Sequence, residues 1–108
     1  MKIRAALLAL LMWAPLGWAD VVWIDVRTPG EFQSGHIDVA ENIEYQNVLA
    51  GVNRLSLEKD AEILLYCRSG RRASFAQSAL QKAGYTNVQN LGSLEGAQRY
   101  QESLKNRH

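Results

Sequence analysis

The chain has 108 residues, with 12 lysines and arginines against 11 aspartates and glutamates, and this length fits one compact domain. Its single cysteine cannot close an internal disulfide, and two histidines without further cysteines make no zinc-binding pattern, so we expect no metal and no other cofactor. With 21% charged residues and a net charge of +1, the composition argues against a disordered chain and against binding to nucleic acid.

Residues 1–19 have the layout of a secretory signal peptide, in which Lys2 and Arg4 precede an uncharged Leu/Ala-rich run and small residues precede Asp20. The 15 residues between Arg4 and Asp20 reach about 22 Å at ~1.5 Å each, short of a bilayer core of roughly 30 Å. We therefore expect export to the periplasm, cleavage before Asp20, no membrane attachment afterwards and a folded domain over 20–108. The alternative is an uncleaved anchor.

The first predicted strand covers residues 21–26, a β-branched run with one acid that is typical of a strand buried on both faces of a parallel sheet. A short helix is predicted directly after it and should end near Gly35. Thr28 can cap this helix, Pro29 suits its first position, and Glu31 completes a capping box.

The remaining elements alternate between helix and strand patterns in the same way. Gly84 marks the end of one helix. The alternation predicts a small α/β domain with a mostly parallel central sheet flanked by helices. The predicted elements are an extended piece at 40–43, a helix at 46–55, a strand at 63–66, a helix at 73–83, a strand at 88–91 and an amphipathic segment from Leu94.

Cys67 directly follows the strand at 63–66, and ligands of open α/β sheets gather at the carboxyl ends of strands. Gly70 allows a positive φ, so the amides after Cys67 can curl around an anion on or near the sulfur. The positive end of the following helix favours the thiolate, which is the nucleophilic form. The alternative interpretation is a small buried hydrophobic residue at a strand end.

Three arginines, Arg68, Arg71 and Arg72, cluster where the next helix begins. Each is unfavourable there by roughly 0.3–1 kcal/mol against the helix dipole, and a sequence that accepts such a conflict usually does so for a site. The pattern favours an anion-binding loop with Cys67 as the catalytic residue. Its predicted substrate-binding residues are Arg68, Ser69, Gly70, Arg71 and Arg72.

The spacing of this loop is Cys-x4-Arg, from Cys67 to Arg72. A phosphate-sized loop of the Cys-x5-Arg type would need arginine at position 73, which is Ala73. The tighter spacing fits a persulfide sulfur better than a phosphoryl or arsenate group, and it disfavours a phosphatase or an arsenate reductase.

Five segments spread over nearly all of the mature chain together form a recognisable pattern. They are Asp25-Val26-Arg27-Thr28-Pro29 with Glu31-Phe32, Gly35-His36-Ile37, Tyr66 to Arg72, Ala83 to Val88 and Asn90-Leu91-Gly92. In these segments the sequence resembles the single-domain rhodanese family. With its size and signal-like start, it is most similar to the periplasmic rhodaneses of the phage-shock-protein E type.

The resemblance implies a thiosulfate sulfurtransferase in which Cys67 takes the sulfane sulfur of thiosulfate, releases sulfite and passes the sulfur to cyanide or another thiophile. The implied partners are therefore a small anion and a thiophilic acceptor, and we expect a monomer. By the family pattern, Arg68 attracts the anion, Arg72 anchors the loop or balances the persulfide charge, and the amides of 68–72 hold the sulfur. The alternative is a sulfur carrier or partner-docking module without efficient thiosulfate turnover.

Asp25, Arg27 and His36 match other family positions, and we interpret all three as structural. We do not expect His36 to bind a metal ion, because the sequence offers no second ligand to accompany it. Three places depart from the family pattern: Asp38-Val39-Ala40 stands where Pro-Gly-Ala is usual, Ala73 stands where serine is common, and Gly92-Ser93 stands where two glycines are common.

Overall fold

Four parallel strands form one sheet in the described part of the chain, residues 21–106 of a computed structural model. The order across the sheet is β2-β1-β3-β4, and all three neighbouring pairs are parallel. The predicted parallel α/β fold is confirmed, whereas the predicted signal segment at 1–19 lies outside the described residues. The strands are β1 (Val21–Asp25), β2 (Glu41–Asn42), β3 (Glu62–Cys67) and β4 (Val88–Ser93).

Helices connect the strands and cover both faces of the sheet. Between residues 21 and 106, no helix is long and apolar enough to cross a membrane. The helices are α1 (Pro29–Gln33), α2 (Val48–Arg54), α3 (Arg71–Lys82) and α4 (Leu94–Lys105), and a 3-10 turn at Tyr45–Asn47 leads into α2.

The central strand β3 is buried on both faces, as its continuous apolar run predicts. Residues 63–67 are all 0% exposed. Ile63, Leu65 and Cys67 pack with the buried residues of α2 and α3, whereas Leu64 and Tyr66 pack with α4. Cys67 thus belongs to the core on the α2/α3 face.

The capping box of α1 forms as predicted. The Glu31 amide donates to Thr28 Oγ1 at 3.3 Å, and the Thr28 amide donates to Glu31 Oε1 at 3.0 Å. Two amides that the helix itself leaves unpaired are thereby satisfied, so α1 begins at Pro29.

Helix α3 begins at Arg71, two residues before the predicted start, and ends at Lys82. The predicted start, Ala73, is the first α3 residue that packs into the core, whereas the first helical turn also includes the polar arginines. At its other end Gly84 adopts φ +101°, and its amide donates to Gln81 O at 3.0 Å. The predicted stop at Gly84 is therefore confirmed.

The predicted helix at 46–55 is divided between the 3-10 turn and α2. Gly51 lies within α2 because a Cβ at this position would overlap the Ile43 side chain. Close packing of α2 on the sheet therefore explains a residue that weakens helix propensity.

Strand β4 runs to Ser93 rather than ending at Leu91. Its register with β3 shifts between Leu65 and Cys67, and Gly92 adopts φ +87° within the irregular stretch. Cys67 pairs with Ser93, whose Oγ also accepts the Gly96 amide at 3.0 Å and caps α4. This bulge brings residues 90–93 of β4 next to the end of β3.

Candidate active site

Cys67 lies at the carboxyl end of β3, as predicted, although it is the last residue of the strand rather than the first after it, and its side chain is fully buried. Its Sγ accepts a hydrogen bond from the Gly70 amide at an N to S distance of 2.9 Å. The sulfur therefore has a directed donor in addition to its apolar neighbours, an arrangement that stabilises negative charge on it.

The loop after Cys67 turns sharply into α3 at Gly70. Gly70 adopts φ +94° and ψ −11°, a left-handed conformation in which a side chain would be strained, and Arg71 is the first residue of the helix. The first amides of a helix have no partners within it, and they carry the positive end of its dipole. Sulfur, loop amides and helix N-terminus are thus brought together as the sequence predicts.

Arg72 is joined to Glu31 of α1 by two hydrogen bonds. Its Nη1 donates to Glu31 Oε1 at 2.9 Å and its Nη2 donates to Oε2 at 3.1 Å. These bonds lower the pKa of Glu31 to about 2, with help from the Thr28 amide, and Glu31 in turn raises the pKa of Arg72. The carboxylate also offsets the unfavourable position of Arg72 against the helix dipole. One glutamate therefore caps α1 and ties it to the cysteine loop.

Replacing Glu31 by glutamine tests this tie. We expect a loss of about 1 kcal/mol in the free energy of unfolding at pH 7, because a neutral amide weakens both the ion pair and the helix cap. The folded-state pKa of Glu31 is depressed, so its contribution is present above about pH 4.5 and is lost as the pH falls toward about 2. Urea unfolding should therefore show that the difference in the free energy of unfolding between wild type and Glu31→Gln narrows as the pH falls from about 4.5 toward about 2. Glu58→Gln, an exposed glutamate without an ion pair in 21–106, is the matched control, and an equal loss there would contradict the assignment.

Arg68 and Arg71 are exposed, and neither forms an ion pair with any residue from 21 to 106. Arg68 lines an open cavity of about 300 Å³ together with Arg27, Glu31 and Ser34. Of the three predicted anion-binding arginines, two thus retain guanidinium groups that face solvent at the loop, and the third is held by Glu31.

Asp25 and Arg27 form a buried pair at the carboxyl end of β1. Arg27 Nη2 donates to Asp25 Oδ2 at 2.7 Å and to Gly35 O, also at 2.7 Å. Hydrogen bonding to Asp25 raises the pKa of Arg27, so the guanidinium stays charged. Beside it, the buried Tyr66 hydroxyl accepts the Ile37 amide at 3.0 Å. These contacts fix the segment after α1 on the sheet, which is the structural role predicted for the pair.

His36 is exposed and packs locally. Its ring stacks on Phe32 with centroids 3.6 Å apart, and Nδ1 lies 2.6 Å from Phe32 O. Within residues 21–106, no group of three or more His, Cys, Asp or Glu side chains could hold a metal ion.

Two contacts that support the cysteine loop are not predicted from the sequence. The Glu31 carboxylate lies 41 positions from Arg72 in the chain, and its capping-box pattern accounts for it without any second role. Asn90 donates to Gly70 O at 2.9 Å from 20 positions away, and only its place in the family-like Asn90-Leu91-Gly92 segment draws attention to it.

The chain is similar to known proteins in both sequence and fold. The family model of the rhodanese-like domain matches residues 9–99. The Escherichia coli thiosulfate sulfurtransferase PspE is 35% identical over 88 residues, covering 82% of this chain and 84% of PspE. A putative mitochondrial thiosulfate sulfurtransferase of Schizosaccharomyces pombe is 34% identical, covering 70% of this chain and 61% of that protein. Among solved structures, a rhodanese with anions from E. coli has a TM-score of 0.67 at 34% identity and covers 70% of this chain and 89% of its own.

Proposed function

This chain belongs to the rhodanese family, and from that premise we propose that it is a sulfurtransferase that moves the sulfane sulfur of thiosulfate to cyanide or another thiophile. The observation that carries the proposal is Cys67 Sγ at the N-terminus of α3, with the Gly70 amide donating to it at 2.9 Å. Thiosulfate as the substrate is supported by the similarity to PspE and to the S. pombe protein, which are named as a thiosulfate sulfurtransferase and a putative one. The assay is thiocyanate production from thiosulfate and cyanide, and no thiocyanate above the uncatalysed rate would contradict the proposal.

The proposed reaction has two displacement steps. In the first, the Cys67 thiolate forms a bond to the outer sulfur of thiosulfate, the sulfur–sulfur bond of thiosulfate breaks, and sulfite leaves with the electron pair. In the second, cyanide attacks the terminal sulfur of the persulfide, thiocyanate leaves and the thiolate is restored. Neither step requires a proton transfer, so the site needs no general base.

The loop amides supply the electrostatic part of this mechanism. A persulfide places its terminal sulfur about 2 Å beyond Sγ, where the negative charge then lies. The Gly70 amide already faces Sγ, and the positive end of α3 extends the same field. Donors fixed before the reaction stabilise the charge without having to reorganise.

Arg68→Ala tests how the anion is attracted. We expect KM for thiosulfate to rise about tenfold with kcat little changed, because an exposed guanidinium at the cavity contributes binding rather than chemistry. Added salt should raise KM of the wild type in the same direction, since charges are screened beyond about 8–10 Å. Steady-state kinetics measure both effects. Arg99→Ala, an exposed arginine on α4, is the control, and an unchanged KM for Arg68→Ala would show that amides alone bind the anion.

A second candidate is a sulfur carrier that delivers to a protein acceptor. It is favoured by an aromatic pair, Tyr45 and Phe75, which are 38% and 60% exposed with ring centroids 6.2 Å apart. Phe75 lies on α3, the helix that begins at the cysteine loop. Persulfide formation from thiosulfate, without efficient release of thiocyanate to cyanide, would select this candidate over the enzyme.

We also propose that the protein is exported to the periplasm and cleaved before Asp20, on the strength of the residue pattern in 1–19. N-terminal sequencing of the protein from the periplasmic fraction should begin at Asp20. Full-length protein held in the membrane fraction would contradict cleavage.

A further inference from the structure

Asn90 on β4 uses both ends of its side-chain amide to join two backbone segments of the site. Its Nδ2 donates to Gly70 O at 2.9 Å, and its Oδ1 accepts the Gly92 amide at 2.8 Å. Because both ends are engaged, the plane of the amide has one orientation. The side chain therefore fixes the cysteine loop relative to the bulge of β4.

The backbones of the cysteine loop and of β4 lie close together at this point. A Cβ at Gly70 would lie 3.4 Å from Gly92 Cα and 3.9 Å from Asn90 Oδ1. Gly70 and Gly92 both have positive φ, at +94° and +87°. Two glycines in the left-handed region thus allow the side chain of Asn90 to reach the loop carbonyl.

The hydrogen bond from Asn90 to Gly70 O also fixes the direction of the Arg71 amide, because that carbonyl and that amide belong to the same peptide group. In a planar trans peptide the C=O of Gly70 and the N–H of Arg71 point in opposite directions. Gly70 O is held by Asn90 and by the Ser74 amide at 2.9 Å, so the Arg71 amide points out of the N-terminus of α3. On the other side of the same residue, the Gly70 amide donates to Cys67 Sγ.

We propose that Asn90 is a positioning residue for sulfur transfer. It makes no hydrogen bond to Cys67 Sγ, and it acts by holding Gly70 O, which fixes Gly70 in place and so keeps the amides of the two peptides that flank Gly70 directed at the persulfide. This inference rests on the proposed function for its kinetic consequence. Attraction of the anion by Arg68 does not depend on Asn90, so loss of Asn90 affects kcat rather than KM.

The kinetic experiment compares Asn90→Leu with Gln89→Leu in thiosulfate-dependent thiocyanate production. Leucine has the same number and branching of side-chain heavy atoms as asparagine but neither its donor nor its acceptor. Gln89 is the matched control, since it is a half-buried amide side chain on β4 whose Nε2 donates to Glu62 at 3.1 Å, away from the loop. We expect kcat to fall about tenfold to a hundredfold for Asn90→Leu with KM nearly unchanged, and both constants to stay near wild type for Gln89→Leu. Equal kcat for wild type and Asn90→Leu, or an effect confined to KM, would overturn the proposal.

A second variant separates hydrogen bonding from packing. Asn90→Asp keeps the size of the side chain and the acceptor for the Gly92 amide but removes the donor to Gly70 O. It also adds a negative charge, whose repulsion of the thiosulfate anion raises KM, whereas the lost donor lowers kcat. It should lose kcat like Asn90→Leu, and wild-type kcat would show that Asn90 only fills space. It also provides the test if the leucine variant does not fold.

Amide hydrogen exchange tests the lock without any turnover. We expect the Gly70 amide to exchange at least about tenfold faster in the Asn90 variants than in wild type, with the protection of β3 unchanged. Unchanged Gly70 exchange would overturn the role of Asn90 even in an active enzyme. If wild type transfers no sulfur, the proposed function fails while the exchange result still decides whether Asn90 holds the loop.

Discussion

Cys67→Ser should lose sulfur transfer by about a thousandfold or more in kcat, because the hydroxyl group is a far weaker nucleophile than a thiolate and the chain contains no second cysteine. The serine Oγ still lies at the N-terminus of α3 and can accept the Gly70 amide, so the loop keeps its donors. The measurement is thiocyanate production from thiosulfate and cyanide, with the protein at concentrations that make small residual rates visible.

Stability and a second variant control this result. A hydroxyl group in the fully buried position of Cys67 costs about 1–3 kcal/mol if it is incompletely paired, so thermal unfolding must show that the variant is folded in the assay. Cys67→Ala removes the sulfur without adding a polar atom and should be equally inactive. Turnover near wild type in either folded variant would refute covalent catalysis by this residue.

Inserting one glycine between Gly70 and Arg71 should cost sulfur transfer about a hundredfold. The insertion converts the spacing to Cys-x5-Arg, widens the ring of amides and moves the Arg71 amide away from the sulfur, and a misplacement of ~1 Å can cost this much in rate. It also lengthens the path between Cys67 and Arg72, which Glu31 ties to α1. Steady-state kinetics on the folded variant give the loss.

The control insertion is one glycine between Asp38 and Val39. Both residues are exposed, and Val39 lines a cavity with Val21 and Val22, which begin β1 at the opposite end of the sheet from Cys67. We expect near wild-type kinetics there. With the Cys-x4-Arg spacing, the wild type should not turn over aryl phosphates or arsenate. Robust aryl phosphate hydrolysis that disappears when Cys67 is replaced would contradict a loop sized for sulfur.

Local signals explain why much of the fold is predictable. The apolar runs of β1 and β3 need burial on both faces, and the capping box of Thr28 and Glu31 fixes the start of α1 within four residues of sequence. Cys67 at a strand end and Gly70 three residues later define the loop in the same local way. Each of these features depends on neighbours in the chain, so the sequence alone predicts them.

The features of the site that the sequence does not predict depend on long-range contacts. Arg72 meets Glu31 only because β1 and β3 are adjacent in the sheet, which brings the starts of α1 and α3 together. Asn90 meets Gly70 only because β4 pairs with β3 through a bulge at Gly92, and that bulge has no clear pattern in the sequence. Both contacts hold the cysteine loop through residues that lie outside it. The loop motif can therefore be recognised from the sequence, whereas the residues that hold it in place cannot.

In the proposed mechanism, Cys67 carries the transferred sulfur as a persulfide. The most direct measurement is intact-mass analysis of the protein after incubation with thiosulfate, and again after addition of cyanide. The predicted result is a gain of one sulfur atom by the wild type, absent in Cys67→Ser and removed by cyanide as thiocyanate appears. An unchanged mass with continuing thiocyanate production, or a gain that persists in Cys67→Ser, would contradict the mechanism.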